Sequence, residues 1–147
     1  MTENKPMWVN ADKVLLNAML RSGRLWVAEC MPIAVPRVNV WEAWCKAGDT
    51  MGRLMVRMAS EHGLKLPQRL EAQSRAFNDA VLGADLGALV FHDAQLLHRA
   101  TLLNMRILSE EVAPVILVGD LLGIGAAVKG DASFMLRAGF CVKAMEI

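Results

Sequence analysis

Tyrosine is missing from this 147-residue chain, and four tryptophans and four phenylalanines supply all of its aromatic content. No aromatic-rich basic strip can be read along it, the kind of surface on which single-stranded nucleic acid stacks. Net charge is nearly absent too: 16 Lys and Arg stand against 15 Asp and Glu, leaving +1. Such a balance supplies no long-range attraction to a nucleic-acid duplex or an anionic membrane. Cysteine is scarce. Cys30, Cys45 and Cys141 are an odd number with no CxxC or CxxxC pair, which argues against structural zinc and for buried, reduced thiols. The start, Met1-Thr2-Glu3-Asn4-Lys5-Pro6, is polar and lacks the apolar run of a signal peptide. Val112 to Val128 is the only stretch that resembles a membrane span, but it is short and carries Asp120. A cytoplasmic protein with no membrane partner is expected.

What is present is a core. The 54% hydrophobic and 21% charged fractions describe a folded globular protein. No repeat, low-complexity tract or Pro/Gly/Ser linker divides the chain, so residues 1–147 are expected to form a single domain.

Met7-Trp8-Val9 reads as a short strand. Asn10 or Asp12 then caps a helix in which Val14, Leu15, Ala18, Met19 and Leu20 recur at helical spacing until Gly23. Arg24 to Glu29 is apolar and of uncertain type. Ile33-Ala34-Val35 lies extended between two prolines, and Pro36 opens a helix expected to reach Lys46. Asp49 or Thr50 caps a further helix with Leu54, Met55, Met58 and Ala59 inward, and Pro67 opens another carrying Leu70, Phe77 and Val81. A helix is expected from Asp93 to Asn104, then strands at Met105–Ser109 and Val115–Val118. The second of these is apolar throughout and mostly β-branched, bounded by Pro114 and Gly119, and should be buried on both faces. Asp120–Val128 and Asp131–Ala138 look helical, and Phe140–Ile147 reads as a last strand. Alternating strands and helices predict an α/β fold with a mainly parallel central sheet flanked by helices.

Gly119-Asp120-Leu121-Leu122-Gly123-Ile124-Gly125 follows a predicted strand, where a phosphate loop would lie. Its spacing does not match: the third glycine falls at Gly130 and Lys129-Gly130 reverses the Walker order. Close helix–sheet packing is the plainer account of these glycines. His92 and His98 fall on different faces of a helix, and no Ser sits in a GxSxG elbow.

The carboxylates are more suggestive. Asp12 (or the neighbouring Asn10) lies just after the first expected strand, Glu42 within the helix after Pro36, Asp93 at the opening of the later helix, and Glu110 and Glu111 after the strand behind it. Hard divalent cations take several oxygen ligands, orient a water and neutralise charge on a phosphate being cleaved. Each acid singly also has a bland explanation as a helix start or a solvated loop residue.

Met7-Trp8-Val9-Asn10-Ala11-Asp12-Lys13-Val14-Leu15-Leu16-Asn17-Ala18 resembles the opening strand and helix of PIN-domain ribonucleases. Pro32-Ile33-Ala34-Val35-Pro36-Arg37-Val38-Asn39-Val40-Trp41-Glu42 is similar to their second acidic segment, and His92-Asp93-Ala94-Gln95 through Ser109-Glu110-Glu111 to the third and fourth. The resemblance implies a three-layer α/β/α fold and a Mg2+- or Mn2+-dependent endoribonuclease of toxin type. Asp12, Glu42, Asp93 and Glu110 would hold the metal, RNA would be the substrate and an antitoxin the partner. A form of the fold that has lost its metal is the variant reading.

The alternative is a non-enzymatic α/β interaction module. Trp41 and Trp44 are expected on one helix flank, and Met51, Met55 and Met58 line one helix as an adaptable apolar surface. A homodimer or a bound protein partner would cover such a face.

Overall fold

The structure, a computed structural model, describes residues 4–6, 25–28, 40–84, 86–132, 134, 138–141 and 143–145. The expected strand at 7–9, the helix beginning near Asp12 and the extended piece at 33–35 lie outside these residues.

Two sheets are present. A small one pairs β1 (Asn4–Pro6) with β7 (Lys143–Met145) antiparallel. The larger holds β2 (Leu25–Ala28), β3 (Val40–Trp44), β4 (Ala88–His92), β5 (Val115–Val118) and β6 (Ala138–Cys141), in the order β3-β4-β5-β2-β6 with every pair parallel. The fold is therefore α/β with a mainly parallel central sheet, as its alternating elements predict. Four helices accompany it among the described residues: α1 (Met51–Glu61), α2 (Leu70–Gly83), α3 (Arg99–Glu111) and α4 (Leu121–Ala127). None is long and apolar enough to cross a membrane.

Period-2 alternation sorts the strand residues. Leu25, Val27, Trp41, Ala43, Leu89, Phe91, Val115 and Leu117 join one hydrophobic cluster with Leu54, Met58, Phe77, Leu102 and Met105 of the helices. Register places Glu42, Val90, Ile116 and Trp26 in one cross-strand row on the opposite face, with Trp44, His92, Val118 and Ala28 in the next. Val90 and Ile116 are buried on that second face too. β5 is buried along its whole length, as its apolar run Val115-Ile116-Leu117-Val118 requires.

Four expectations need correction. Val40–Trp44 is a strand, not part of a helix from Pro36. Its β-branched and aromatic residues suit a pleated edge, and pairing with Ala88–His92 outweighs local helical spacing. Trp41 and Trp44 consequently point to opposite faces instead of sharing a flank. Met105–Ser109 is helical, because Leu102, Met105 and Leu108 continue the buried stripe of α3 through to Glu111. Asp93 does not open that helix: it adopts φ 58° and starts a 3₁₀ turn at Ala94–Leu96, and α3 begins six residues later at Arg99. Finally, β6 and β7 are two strands in different sheets where one was expected.

Candidate functional site

The connections β3→β4, β4→β5 and β5→β6 all step across the sheet in one direction, while β2→β3 steps the other way. Right-handed crossovers then put α1 to α4 on one face, and side chains of α1, α2 and α3 do share one core with β3, β4 and β5. The chain therefore leaves neighbouring strands β2 and β5 in opposite senses. In open α/β sheets such a switch point leaves a crevice beyond the carboxyl ends of the strands, and ligands bind there.

Residues at this end are held closely. After β5, the Gly119 N–H donates to Ala28 O at 2.9 Å, and the Asp120 N–H donates to Gln95 Oε1 at 3.2 Å. Gln95 thus ties the segment after β4 to the one after β5. A Cβ on Gly119 would collide with Gln95 Oε1, and one on Gly123 would sit 3.2 Å from Asp120 Oδ2. These glycines serve close packing, the plainer of the two readings of the motif. Asp93 and Asp120 follow neighbouring strands and are both exposed. On the other side of the switch point, residues 29–39 contain no glycine and include Pro32 and Pro36. The sequence thus offers no glycine-rich phosphate cradle after β2.

Of the four acids chosen from sequence, Asp12 lies outside the described residues. Glu42 sits in the middle of β3, where its Oε1 lies 3.2 Å from His92 Nε2. That histidine stacks on the half-exposed Trp44, with centroids 4.5 Å apart and planes 11° off parallel. Asp93 is the next residue, so Glu42 and Asp93 belong to the same β3–β4 corner. Glu110 does not. It occupies the last turn of α3, which returns from the end of β4 to the start of β5, and Arg106 Nη1 lies 3.2 Å from its Oε2. The sheet therefore separates Glu110 from Glu42 and Asp93. Among the described residues no group of three or more His, Cys, Asp or Glu is placed to hold a metal ion.

The sequence reading missed His92 as the partner of Glu42, Trp44 as the ring stacked on that histidine, and Asp120 as the acid that follows the adjacent strand. It also missed an ion pair beside the end of β3, between the buried Asp49 and the half-buried Arg57. Arg57 reaches Asp49 with two hydrogen bonds, Nη1 to Oδ2 at 2.6 Å and Nη2 to Oδ1 at 3.0 Å, and also donates to Trp44 O at 3.0 Å. The Lys46 N–H adds 2.7 Å to Asp49 Oδ2, and the Thr101 hydroxyl donates to Asp49 O at 3.3 Å. The Arg57 hydrogen bonds hold the Asp49 carboxyl below the usual carboxylate range against the opposing effect of burial. Nearby, burial first and Asp49 second push the Cys45 thiol up to about 12, so it is a protonated, inert thiol at neutral pH. An Asp followed eight residues later by an Arg on a helix was the available signal, but spacing alone does not distinguish this pair from solvated charges.

A second feature lies in the helix layer. A groove of about 260 Å³ is lined by Met51, Met55, Leu70, Ile107, Leu108 and Val112, with Asn78, Asn104 and Glu111 among its polar members. Leu70 is 65% exposed. Comparison with protein-family models finds no match, and no curated protein matches the chain.

Proposed function

We propose that this chain is a non-enzymatic α/β interaction module that binds a second copy of itself or another protein through the methionine-bearing groove of α1, α2 and α3. The observation that carries this reading is the open apolar lining of that groove, Met51 and Met55 beside the exposed Leu70 and Ile107. Flexible thioethers adapt to a partner's shape, and an apolar concavity gains most when covered. Light scattering across a concentration series tests it, with Leu70→Glu and Ile107→Glu alongside. Association in the wild type that either variant abolishes supports self-assembly. A wild type that stays monomeric throughout rules self-assembly out and leaves only a foreign partner.

A second reading, the PIN-like Mg2+- or Mn2+-dependent endoribonuclease, draws support from Asp93 and Asp120, exposed acids that follow the adjacent strands β4 and β5 at the carboxyl end of the sheet. Its fourth acid would then come from the β5 end instead of Glu110. Thermal unfolding of EDTA-stripped protein with added Mn2+, beside Asp93→Asn, decides it. Stabilisation that the variant loses supports a bound cation by mass action, and no shift at millimolar metal removes the nuclease reading.

A further inference from the structure

Beside the methionine groove, α1 turns a different face to a second concavity. Two hollows of about 500 and 540 Å³ share Val56, Ser60 and Gln73, so they form one cleft running from Gly52 past α1 to the 63–68 loop. Gln73 forms part of its floor and is only 9% exposed. Its Nε2 donates to Pro67 O at 3.2 Å, which fixes the orientation of the amide. Oε1 is thereby directed toward Gly52, where a Cβ would stand 3.0 Å from it. No donor reaches Oε1 among the described residues, so a buried carbonyl oxygen at the cleft floor is open to an N–H or O–H of a bound ligand.

The remaining lining narrows the class of ligand. Val56, Leu64, Leu66 and Pro67 give apolar walls. Arg53 and Lys65 are exposed cations on the rim against the single carboxylate Glu61, since the charge of Arg57 is matched by Asp49. At the Gly52 end, the first turn of α1 adds its positive dipole end, with Thr50 Oγ1 accepting only the Arg53 N–H.

We propose that this cleft binds an acidic, apolar peptide segment of a protein partner. A peptide N–H meets Gln73 Oε1, an apolar side chain lies on Val56 and Leu64, and a carboxylate sits between Arg53 and the start of α1. This goes beyond the methionine groove and does not depend on it.

The test is an NMR titration of the full chain with two probes, acetyl-Leu-Asp-amide and acetyl-Leu-Lys-amide, repeated on Arg53→Glu and Gly52→Ala. Arg53 is exposed and Gly52 lies in a helix at ordinary φ, so both variants should fold. The expected result is saturating shifts for the aspartyl probe at the backbone amides of 52–68 and at the Gln73 side-chain amide. The lysyl probe should leave these unmoved. Arg53→Glu should weaken aspartyl binding about tenfold, a change of roughly 1.4 kcal/mol. Gly52→Ala should reduce the Gln73 response, because its methyl crowds Oε1. No saturating shift at millimolar peptide, equal response to both probes, or unchanged binding by Arg53→Glu would overturn the proposal. Self-association through Ile107 is read separately, so loss of one result leaves the other standing.

Discussion

β3 carries the same chemical pair on both of its faces. Trp41 stacks on His62 with ring centroids 4.5 Å apart, and Trp44 stacks on His92 at the same distance. The surroundings differ entirely. Trp41 is 7% exposed and also meets Phe77 edge-on at 6.3 Å, inside the core shared with the helices. Trp44 is 53% exposed, and its histidine is engaged by Glu42. Residue type and stacking geometry alone therefore do not assign a role. The first stack is part of the packing that holds α1 on the sheet, whereas the second is a polar, accessible corner at the β3 edge of the described sheet.

The largest test of that contrast is Trp41→Ala. It removes a buried indole from the core and should cost about 3–5 kcal/mol, read as a drop in the denaturation midpoint. Asp49→Ala comes next. It leaves Arg57 without its carboxylate and the Lys46 N–H without an acceptor. Breaking a buried pair costs about 3–5 kcal/mol, and the partial exposure of Arg57 places this case at the low end. The same pair predicts a pH dependence. Because the folded Asp49 carboxyl titrates below its unfolded value, its contribution is complete above about pH 4. It fades as pH falls from there through the depressed folded value, and Asp49→Asn should flatten that part of the acid-unfolding curve.

A smaller effect is expected at the exposed stack. Trp44→Ala should cost about 0.5–1.5 kcal/mol at most, the worth of one aromatic pair. If it matched Trp41→Ala, the division into core and accessible corner would be wrong. The finest probe is the thiol just past the end of β3. Cys45, next to Trp44 and buried, should resist iodoacetamide in the native protein at mildly alkaline pH and react once unfolded, as peptide mass mapping would show. Asp49→Ala should speed its native-state labelling by loosening the end of β3.

The fold class was legible in the sequence because β5 is a wholly apolar, mostly β-branched run and α1 has a clean helical stripe above its Thr50 cap. β4 was not assigned as a strand, although Leu89-Val90-Phe91 is apolar throughout: a short run without alternation looks the same in a strand and in a helix. β3 falls inside the helix expected from Pro36 to Lys46 because a proline suits a first helical turn and Gly48 a helix end, and only pairing with β4 decides against it. Of the site, Asp93 was found from its place before a helix. That Asp120 follows the strand next to its own was not legible, since the order of strands in a sheet is set by contacts between distant segments. Glu110 was misplaced relative to the others because the strand expected at 105–109 is the end of a helix. The Gln73–Gly52 cleft left no sequence signal: one buried amide among surface glutamines has no pattern of its own.

The strand order also bears on how the chain is made. β3, β4 and β5 are neighbours in both sequence and sheet, so they can assemble while synthesis is still under way. β2 precedes them all, yet its partners are β5 and β6, with Leu25 opposite Val115 and Ala138. An early-made strand must therefore wait for partners that follow only at residues 115–118 and 138–141. Closing so long a loop is slow, and unpaired strand edges invite aggregation in the interval. Chains cut short before β6 should accumulate as chaperone-bound or insoluble species, and refolding yield should fall steeply with protein concentration.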